Sequence, residues 1–132
     1  HFHPLLKLPS EDADFSTRLA SIKANFTRTW LDSGGTESAQ SYSREKHGHR
    51  GVWQKRFWEH VLTDQDDWNE HLNYIHFNPV KHGLVTCPHL WPYSTFHKWV
   101  ARGVYPIDWM CVCGGRKTTP PLFEKFESYE ME

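Results

Sequence analysis

The chain begins with His1-Phe2-His3, a pattern that can hold a metal ion. In an extended strand, side chains two residues apart lie on the same side, so both imidazoles would project together. Imidazole nitrogen is the most common metal ligand in proteins. We therefore take His1 and His3 as candidate metal ligands, with an ordinary pair of exposed histidines as the alternative.

A second polar group, His71, Tyr74 and Asn78, recurs at spacings of three and four residues. At about 100° per residue, these side chains share one stripe of a helix, roughly a quarter turn from an apolar stripe. The apolar stripe consists of Trp68, Leu72 and Ile75. The pattern predicts a buried apolar face beside a polar face that lines a cleft. The alternative is that the polar tips only border the core.

Residues 44–58 are both basic and aromatic, with five Lys or Arg residues against one Glu and with Trp and Phe rings between them. Basic side chains bind phosphates and aromatic faces stack on unpaired bases, so this segment predicts contact with a nucleic acid. A charged loop that leads into an ordinary strand would have the same composition, as would a site for another anion.

The cysteines, Cys87, Cys111 and Cys113, are too few for a disulfide-stapled fold and favour a reduced setting. Cys111 and Cys113 are closer in sequence than the usual Cys-x-x-Cys zinc pair. Together with His1 and His3 they would supply four zinc ligands. Two free thiols in a C-terminal tail explain the same cysteines.

The whole chain is short and nearly neutral, with 132 residues, 15 Lys plus Arg and 16 Asp plus Glu. This length allows one domain, and the charge balance excludes a uniformly basic nucleic-acid coat. An aromatic content of 15% is too high for a disordered chain. No apolar run approaches the ~20 residues that a membrane helix needs.

Hydrophobic periodicity and turn residues predict the elements that would position these groups. In chain order they are a strand at 1–8, a helix at 15–31 capped by Asp14, a strand at 52–62, a helix from Asp64 that Pro79 ends, and a short helix around 93–101. Residues 110–132 lack such patterning and predict a tail.

Read as a series of segments, the chain resembles the REP-associated tyrosine transposases of bacteria, which are relatives of the IS-type single-strand transposases in the HUH endonuclease superfamily. In the HUH motif, H is histidine and U is a bulky apolar residue, here Phe2 between His1 and His3. The segments are HFHPLLKLP, DADFSTRLASIKANF, GVWQKRFWEHVL, HLNYIHFNPVKHGLV, WPYSTFHKWV and GVYPIDW. The resemblance spans residues 1–109, and its most specific part is YIHFNPVKHG at residues 74–83.

The resemblance implies a ferredoxin-like α+β fold, an antiparallel sheet with helices packed on it, for residues 1–109. Members of the family carry a strand, a helix and a further strand before the HUH strand. Since this sequence starts at the HUH motif, we expect the catalytic domain to lack its N-terminal part and the sheet to be incomplete. Residues 110–132 would form a C-terminal tail.

The resemblance also implies a role for each residue of the site. His1 and His3 match the metal-binding pair, Asn78 matches a third metal ligand, and Tyr74 matches the nucleophile. A divalent ion, Mg²⁺ or Mn²⁺, would polarise the scissile phosphate of single-stranded DNA. Tyr74 would form a 5′-phosphotyrosine and release a 3′-OH that can rejoin the DNA, and His71 or a water could assist.

The expected partner is single-stranded or hairpin DNA, because the family acts on palindromic repeats that fold into hairpins. We further expect a monomer or homodimer in the bacterial cytoplasm, associated with the nucleoid and not with a membrane. The candidate phosphate contacts are Lys23, Arg44, Arg50, Lys55, Arg56 and Lys81, and the candidate stacking ring is Trp53.

Two alternatives to a metal-dependent transposase follow from the same residues. One is a truncated, catalytically inactive relative that binds DNA hairpins through the basic segment. The other is a small zinc-binding protein that uses histidines with Cys111 and Cys113.

Overall fold

The computed structural model describes residues 2–39, 41–46, 48, 50–53 and 59–114. Its elements in chain order are α1 (Phe15–Asp32), α2 (Tyr42–Lys46), α3 (Gln65–Lys81), a 3-10 helix (Pro88–Leu90) and α4 (Phe96–Ala101). None of the helices in this described part has the length and apolarity that a membrane crossing requires. The described residues fall into two compact units, one drawn from His1–Leu5 with His60–Glu132 and the other from Leu6–Glu59.

The predicted ferredoxin-like α+β sheet is wrong for the described residues, which contain helices and no strand. Residues 2–8, predicted as the first strand, form no ladder, and neither do the described ends of the second, 52–53 and 59–62. A strand persists only where a neighbouring segment pairs with its N–H and C=O groups. No described segment provides that pairing. Residues 54–58 lie outside the described part of the chain.

Helix α1 begins where the sequence predicts, and its predicted N-cap is confirmed. The Asp14 carboxylate accepts a hydrogen bond from the backbone N–H of Thr17 at 3.0 Å, which satisfies one of the donors at the helix start. The helix ends at Asp32, one residue beyond the predicted end. Its apolar face is only partly covered, since Phe26 is 48% exposed whereas Thr27 is buried.

Helix α3 also begins at its predicted cap, where Asp64 accepts a backbone N–H at 2.8 Å. The prediction that Pro79 ends this helix is wrong, because α3 continues to Lys81. Proline removes one helical N–H but keeps a helical φ, and the last turn of α3 is held by burial. The end is set instead by Gly83 at φ +67. There the N–H of Leu84 donates to the carbonyl of Pro79 at 2.9 Å, as in a glycine-terminated helix.

The core of the first unit forms around α3 in two clusters that share Trp109. One cluster consists of Tyr74, Phe77 and Val80 with Val85, Trp109, Met110 and Val112 packed against it. The other consists of Leu72, Phe96 and Tyr105 with Leu5, Trp68, Trp99, Val100 and Trp109 packed against it. Side chains on several sides of α3 are therefore buried. The helix does not divide into one buried stripe and one open stripe.

The first residues of the predicted tail take part in this packing. Met110 and Val112 contact the cluster around Tyr74. Residues 115–132 lie outside the described part of the chain, so the predicted division after residue 109 stays a prediction.

His76 is a polar side chain at the centre of this aromatic core. It is 0% exposed and contacts the rings of Phe96 and Tyr105 edge-on, at centroid distances of 5.6 and 5.4 Å. Burial lowers the pKa of His76 to about 4, so the ring is neutral at pH 7. Its Nε2 lies 3.0 Å from the Thr95 hydroxyl, and its Nδ1 has no hydrogen-bond partner among the described residues.

The hydroxyl of Thr95 is therefore expected to stabilise the fold through His76. Thr95→Val keeps the side-chain shape but leaves both ring nitrogens of His76 buried without a partner. We expect the free energy of unfolding to fall by about 1–3 kcal/mol, measured by urea denaturation at pH 7. Thr95→Ser keeps the hydroxyl and is the matched control, expected to lie near wild type. Thr95 makes no side-chain hydrogen bond that caps α4, so loss of a helix cap does not explain an effect of Thr95→Val. An equal fall in the free energy of unfolding for Thr95→Val and Thr95→Ser would contradict the role assigned to the hydroxyl.

Candidate active site

Tyr74 and Asn78 lie one turn apart on α3 and are both buried, with exposed fractions of 7% and 6%. The Tyr74 ring packs with Phe77 and Val80, which restricts its orientation. The Asn78 side-chain nitrogen is buried without a hydrogen-bond partner among the described residues. Since a buried donor normally has a partner, this NH₂ group suits a site that a hydrogen-bond acceptor completes.

His3 comes from outside α3 and lies next to Tyr74. The two rings meet edge to face, with centroids 5.9 Å apart and an interplanar angle of 89°. His3 itself is exposed. The structure therefore places His3 beside Tyr74, and Asn78 follows one turn further along the helix. His1 lies outside the described residues.

Lys81, predicted as a phosphate contact, also lies at Tyr74. Its ammonium nitrogen is 5.3 Å from the centroid of the Tyr74 ring, two turns further along α3. A cation over an aromatic face is attracted by the ring quadrupole, and a cation in the last turn of a helix interacts favourably with the helix dipole. Lys81 therefore adds positive charge beside the phenol, where a phosphate or a phenolate would be stabilised.

His71, one turn before Tyr74, is held by an acidic partner that the sequence reasoning missed. Its Nδ1 lies 3.0 Å from one carboxylate oxygen of Asp67, whose other oxygen is 2.7 Å from His60 Nε2. The two imidazole rings stack with centroids 4.5 Å apart. The hydrogen bond from His60 lowers the pKa of Asp67, so this carboxylate is ionised at neutral pH. The contact between Asp67 and His71 could have been predicted from the sequence, because residues four apart lie on the same face of a helix.

In the second unit, Lys23 and Trp53 lie together. The Lys23 ammonium is 5.5 Å from the Trp53 ring centroid, and the indole N–H donates to the Thr27 hydroxyl at 3.0 Å. Phe26 packs edge-on against the same indole at 5.2 Å. Part of the Trp53 ring is thus used in packing against α1, and its stacking on a base stays a prediction.

Arg50, another predicted phosphate contact, is paired with Glu37. Its Nε and one terminal nitrogen lie 2.8 and 2.6 Å from the two carboxylate oxygens. The hydrogen bonds and charge of Glu37 raise the pKa of Arg50 above its ordinary value. A phosphate would have to compete with this carboxylate. Lys55 and Arg56 lie outside the described residues, as does the side chain of Arg44 on α2.

The expectation of free thiols in the tail is wrong for Cys111, which forms a disulfide with Cys87. The reason is that the chain after Trp109 returns toward the end of α3. There the N–H of Val112 donates to the carbonyl of Thr86 at 2.8 Å, which brings the two segments together. The sequence reasoning grouped Cys111 and Cys113 with His1 and His3, whereas the structure places them with Cys87 and His89. The sequence contains a second pair of potential metal ligands, Cys87 and His89 in Cys87-Pro88-His89, which could have been matched with Cys111 and Cys113.

Comparison with known proteins finds similarity to two curated proteins of one kind. A protein of Haemophilus influenzae, provisionally named a REP-associated tyrosine transposase, is 44% identical over 110 residues, which is 83% of this chain and 60% of that protein. The REP-associated tyrosine transposase of Escherichia coli is 43% identical over 109 residues, 83% of this chain and 56% of that protein. The chain thus spans less than two thirds of the length of these relatives. No family model matches it.

A solved structure of a REP-associated tyrosine transposase bound to a REP hairpin is also similar. It matches with a TM-score of 0.57 and 40% sequence identity, over 87% of this chain and 57% of that one. The agreement of sequence and structure confirms the resemblance drawn from the motifs, and the chain is a homologue of the REP-associated tyrosine transposases.

Proposed function

We propose that this chain carries the catalytic tyrosine of a transposase that nicks and rejoins single-stranded hairpin DNA through a covalent 5′-phosphotyrosine. The observation that supports this most is the surroundings of Tyr74: His3 and Lys81 at its ring and Asn78 one turn away. The solved relative bound to a REP hairpin supports hairpin DNA as the partner.

In the proposed reaction the Tyr74 oxygen attacks the scissile phosphorus. The new bond joins the phenolic oxygen to phosphorus, the bond from phosphorus to the 3′ oxygen breaks, and the 3′ oxygen takes a proton from solvent and leaves as a hydroxyl. The reverse reaction rejoins the strand without a nucleotide cofactor. An ordinary tyrosine has a pKa of ~10 and is protonated at pH 7, so its proton must be removed and the developing charge stabilised. The Lys81 ammonium is suited to the second task.

His71 is the candidate acceptor for the phenolic proton. His71 Nδ1 lies 2.8 Å from the backbone carbonyl of Asp67 and 3.0 Å from its carboxylate, two acceptors that hold the proton of the neutral ring on that nitrogen. Nε2 is then the basic nitrogen of the ring, one turn before Tyr74 on α3. In this proposal Asp67 is a positioning residue, and His60 Nε2 lies 2.7 Å from its other carboxylate oxygen.

The residues also fit the divalent ion that this reaction calls for. His1 and His3 would hold it through their imidazole nitrogens and Asn78 through its side-chain oxygen, the atom of an amide that can ligate a cation. When bound, Mg²⁺ or Mn²⁺ supplies positive charge to the scissile phosphate. In this proposal His3 and Asn78 would serve as ligands of that ion, and Tyr74 would supply the attacking oxygen.

The second unit supports binding of the DNA backbone. Lys23 lies over the Trp53 ring and presents its charge at an aromatic surface, a combination that suits single-stranded DNA. The other proposed phosphate contacts there are Arg44, Arg50, Lys55 and Arg56. Of these, Arg50 would exchange its pairing with Glu37 for a phosphate.

Tyr74→Phe tests the nucleophile directly. The variant keeps the buried ring, so the fold should be retained while the attacking oxygen is lost. Incubated with hairpin-bearing single-stranded DNA and Mn²⁺, wild type should form a covalent adduct on a denaturing gel, and Tyr74→Phe should form none while still shifting the DNA on a native gel. The matched control is Tyr93→Phe, which removes the hydroxyl of an 85% exposed tyrosine and should behave as wild type.

An adduct that persists in Tyr74→Phe would overturn the assignment of the nucleophile. Wild-type protein that shifts the hairpin in the presence of Mn²⁺ but never forms an adduct would instead support a DNA-binding relative that cannot cut.

Asn78→Ala and His3→Ala test the metal ligands. Each should raise the Mn²⁺ concentration for half-maximal adduct formation by about 10-fold or more, since even outer-shell partners of a metal site are worth about 10- to 100-fold in affinity. Asn69→Ala, an exposed residue earlier on α3, and His97→Ala, an exposed histidine on α4, are the matched controls. An unchanged Mn²⁺ requirement in both ligand variants would exclude this site.

Lys81→Ala tests the charge at the tyrosine. We expect the rate of adduct formation at saturating DNA to fall by roughly 10- to 100-fold, less than the loss of a direct oxyanion donor, because the ammonium lies over the ring face. Lys81→Arg should recover part of the rate, whereas Lys98→Ala on α4 should leave it unchanged. A Lys81→Ala effect confined to DNA affinity would instead make Lys81 an ordinary backbone contact.

A further inference from the structure

Four side chains with zinc-ligating atoms converge beyond the end of α3: Cys87, His89, Cys111 and Cys113. The Cys87 and Cys113 sulfurs are 3.6 Å apart, and the Cys111 sulfur is 3.9 Å from Nδ1 of His89. Cys87 and Cys111 are joined as a disulfide. Ligand atoms of Cys87, His89 and Cys111 all lie within 4.8 Å of one another.

The fold brings these residues together from two short segments. Cys87 precedes the 3-10 helix that carries His89, and the Cys111–Cys113 segment follows the turn at Met110, where φ is +53. The N–H of Val112, between the two cysteines, donates to the carbonyl of Thr86 at 2.8 Å. This backbone bond fixes the two ligand pairs side by side, independently of the disulfide.

We propose that in the reduced chain these four residues form a structural Zn²⁺ site with three thiolates and one imidazole. Such a Cys₃His set is a common structural zinc shell. The disulfide uses only Cys87 and Cys111, although the Cys113 sulfur and the His89 imidazole lie in the same cluster. A zinc ion would use all four groups as ligands.

The distances suit tetrahedral zinc. With a Zn–S bond of about 2.3 Å, the sulfur atoms of a tetrahedral site lie roughly 3.8 Å apart. The Cys87–Cys113 separation of 3.6 Å is already close to that value. Nδ1 of His89 is 3.0 Å from the carbonyl of Ile107, so binding at this nitrogen exchanges that contact for zinc and leaves the proton on Nε2.

Zinc binding requires that the disulfide first be reduced. A dithiol reductant gives two electrons and two protons to the Cys87–Cys111 sulfurs and becomes a cyclic disulfide itself. The three cysteines then lose their thiol protons to solvent as Zn²⁺ binds. Zinc and the disulfide are therefore alternative states of one cluster.

The site would fasten the segment beyond residue 109 to the end of α3. Val85, Met110 and Val112, each within two residues of a cysteine in the sequence, pack against the cluster that contains Tyr74. This role is structural and goes beyond the proposed DNA reaction, on which it does not depend.

The experiment is metal loading of the full chain after reduction with a water-soluble phosphine, which becomes a phosphine oxide by taking oxygen from water and does not compete as a thiol. One equivalent of Zn²⁺ should remain after gel filtration, measured by elemental mass spectrometry. One equivalent of Co²⁺ should give a thiolate-to-cobalt charge-transfer band together with the intense visible bands of tetrahedral cobalt. Histidine-based binding elsewhere in the chain gives no thiolate band.

Cys113→Ser and His89→Ala should each weaken Zn²⁺ binding by about 10- to 100-fold or more, at least the effect of losing an outer-shell partner. Cys113 is exposed, so its serine variant is expected to fold, and its folding is checked by circular dichroism. His97→Ala is the matched histidine control and should bind as wild type. A reduced chain that retains no stoichiometric zinc, a cobalt complex without the thiolate band, or affinities unchanged in both ligand variants would each overturn the proposal.

Discussion

Burial of helix α3 on several sides is the constraint on which the candidate site depends. His71, Tyr74 and Asn78 are each less than a tenth exposed, and Phe77 and Val80 between and beyond them are buried too. A helix held this way has little freedom to rotate or shift, because side chains on its different faces pack against different neighbours. The spacing of His71, Tyr74 and Asn78 is therefore fixed by the rise of about 1.5 Å per residue along one rigid element.

The sequence was sufficient to predict where helices α1 and α3 begin, whereas the roles of the candidate site residues stay predictions. Asp14 and Asp64 are side-chain caps whose chemistry is local, and both helices start where these residues predict. The sheet could not be predicted reliably, because pairing of strands depends on a distant partner segment and not on local propensity. The same limit explains Pro79: its local preference ends a helix, but burial of the last turn and the Gly83 terminus decide the outcome.

The contacts that could not be predicted from the sequence were also those between distant segments of the chain. The approach of His3 to Tyr74 joins residues 71 positions apart, and the pairing of Cys87 with Cys111 depends on a turn after residue 109. The polar stripe on α3 was predicted as an open cleft face. Tyr74 on this stripe packs in a cluster that Trp109, Met110 and Val112 cover from late in the chain, and His71 stacks on His60.

Among the described residues of the candidate site, His3 lies outside α3, so other contacts must hold it in position. Leu5, two residues later, packs against the cluster of Leu72, Phe96 and Tyr105. That contact anchors the N-terminal segment to the same helix, where no sheet holds it in the described residues. His3 and Tyr74 are thus positioned by one core: Tyr74 through its own ring, and His3 through the packing of Leu5. A cavity in that core would therefore move His3 relative to Tyr74 even though no residue of the site had been changed.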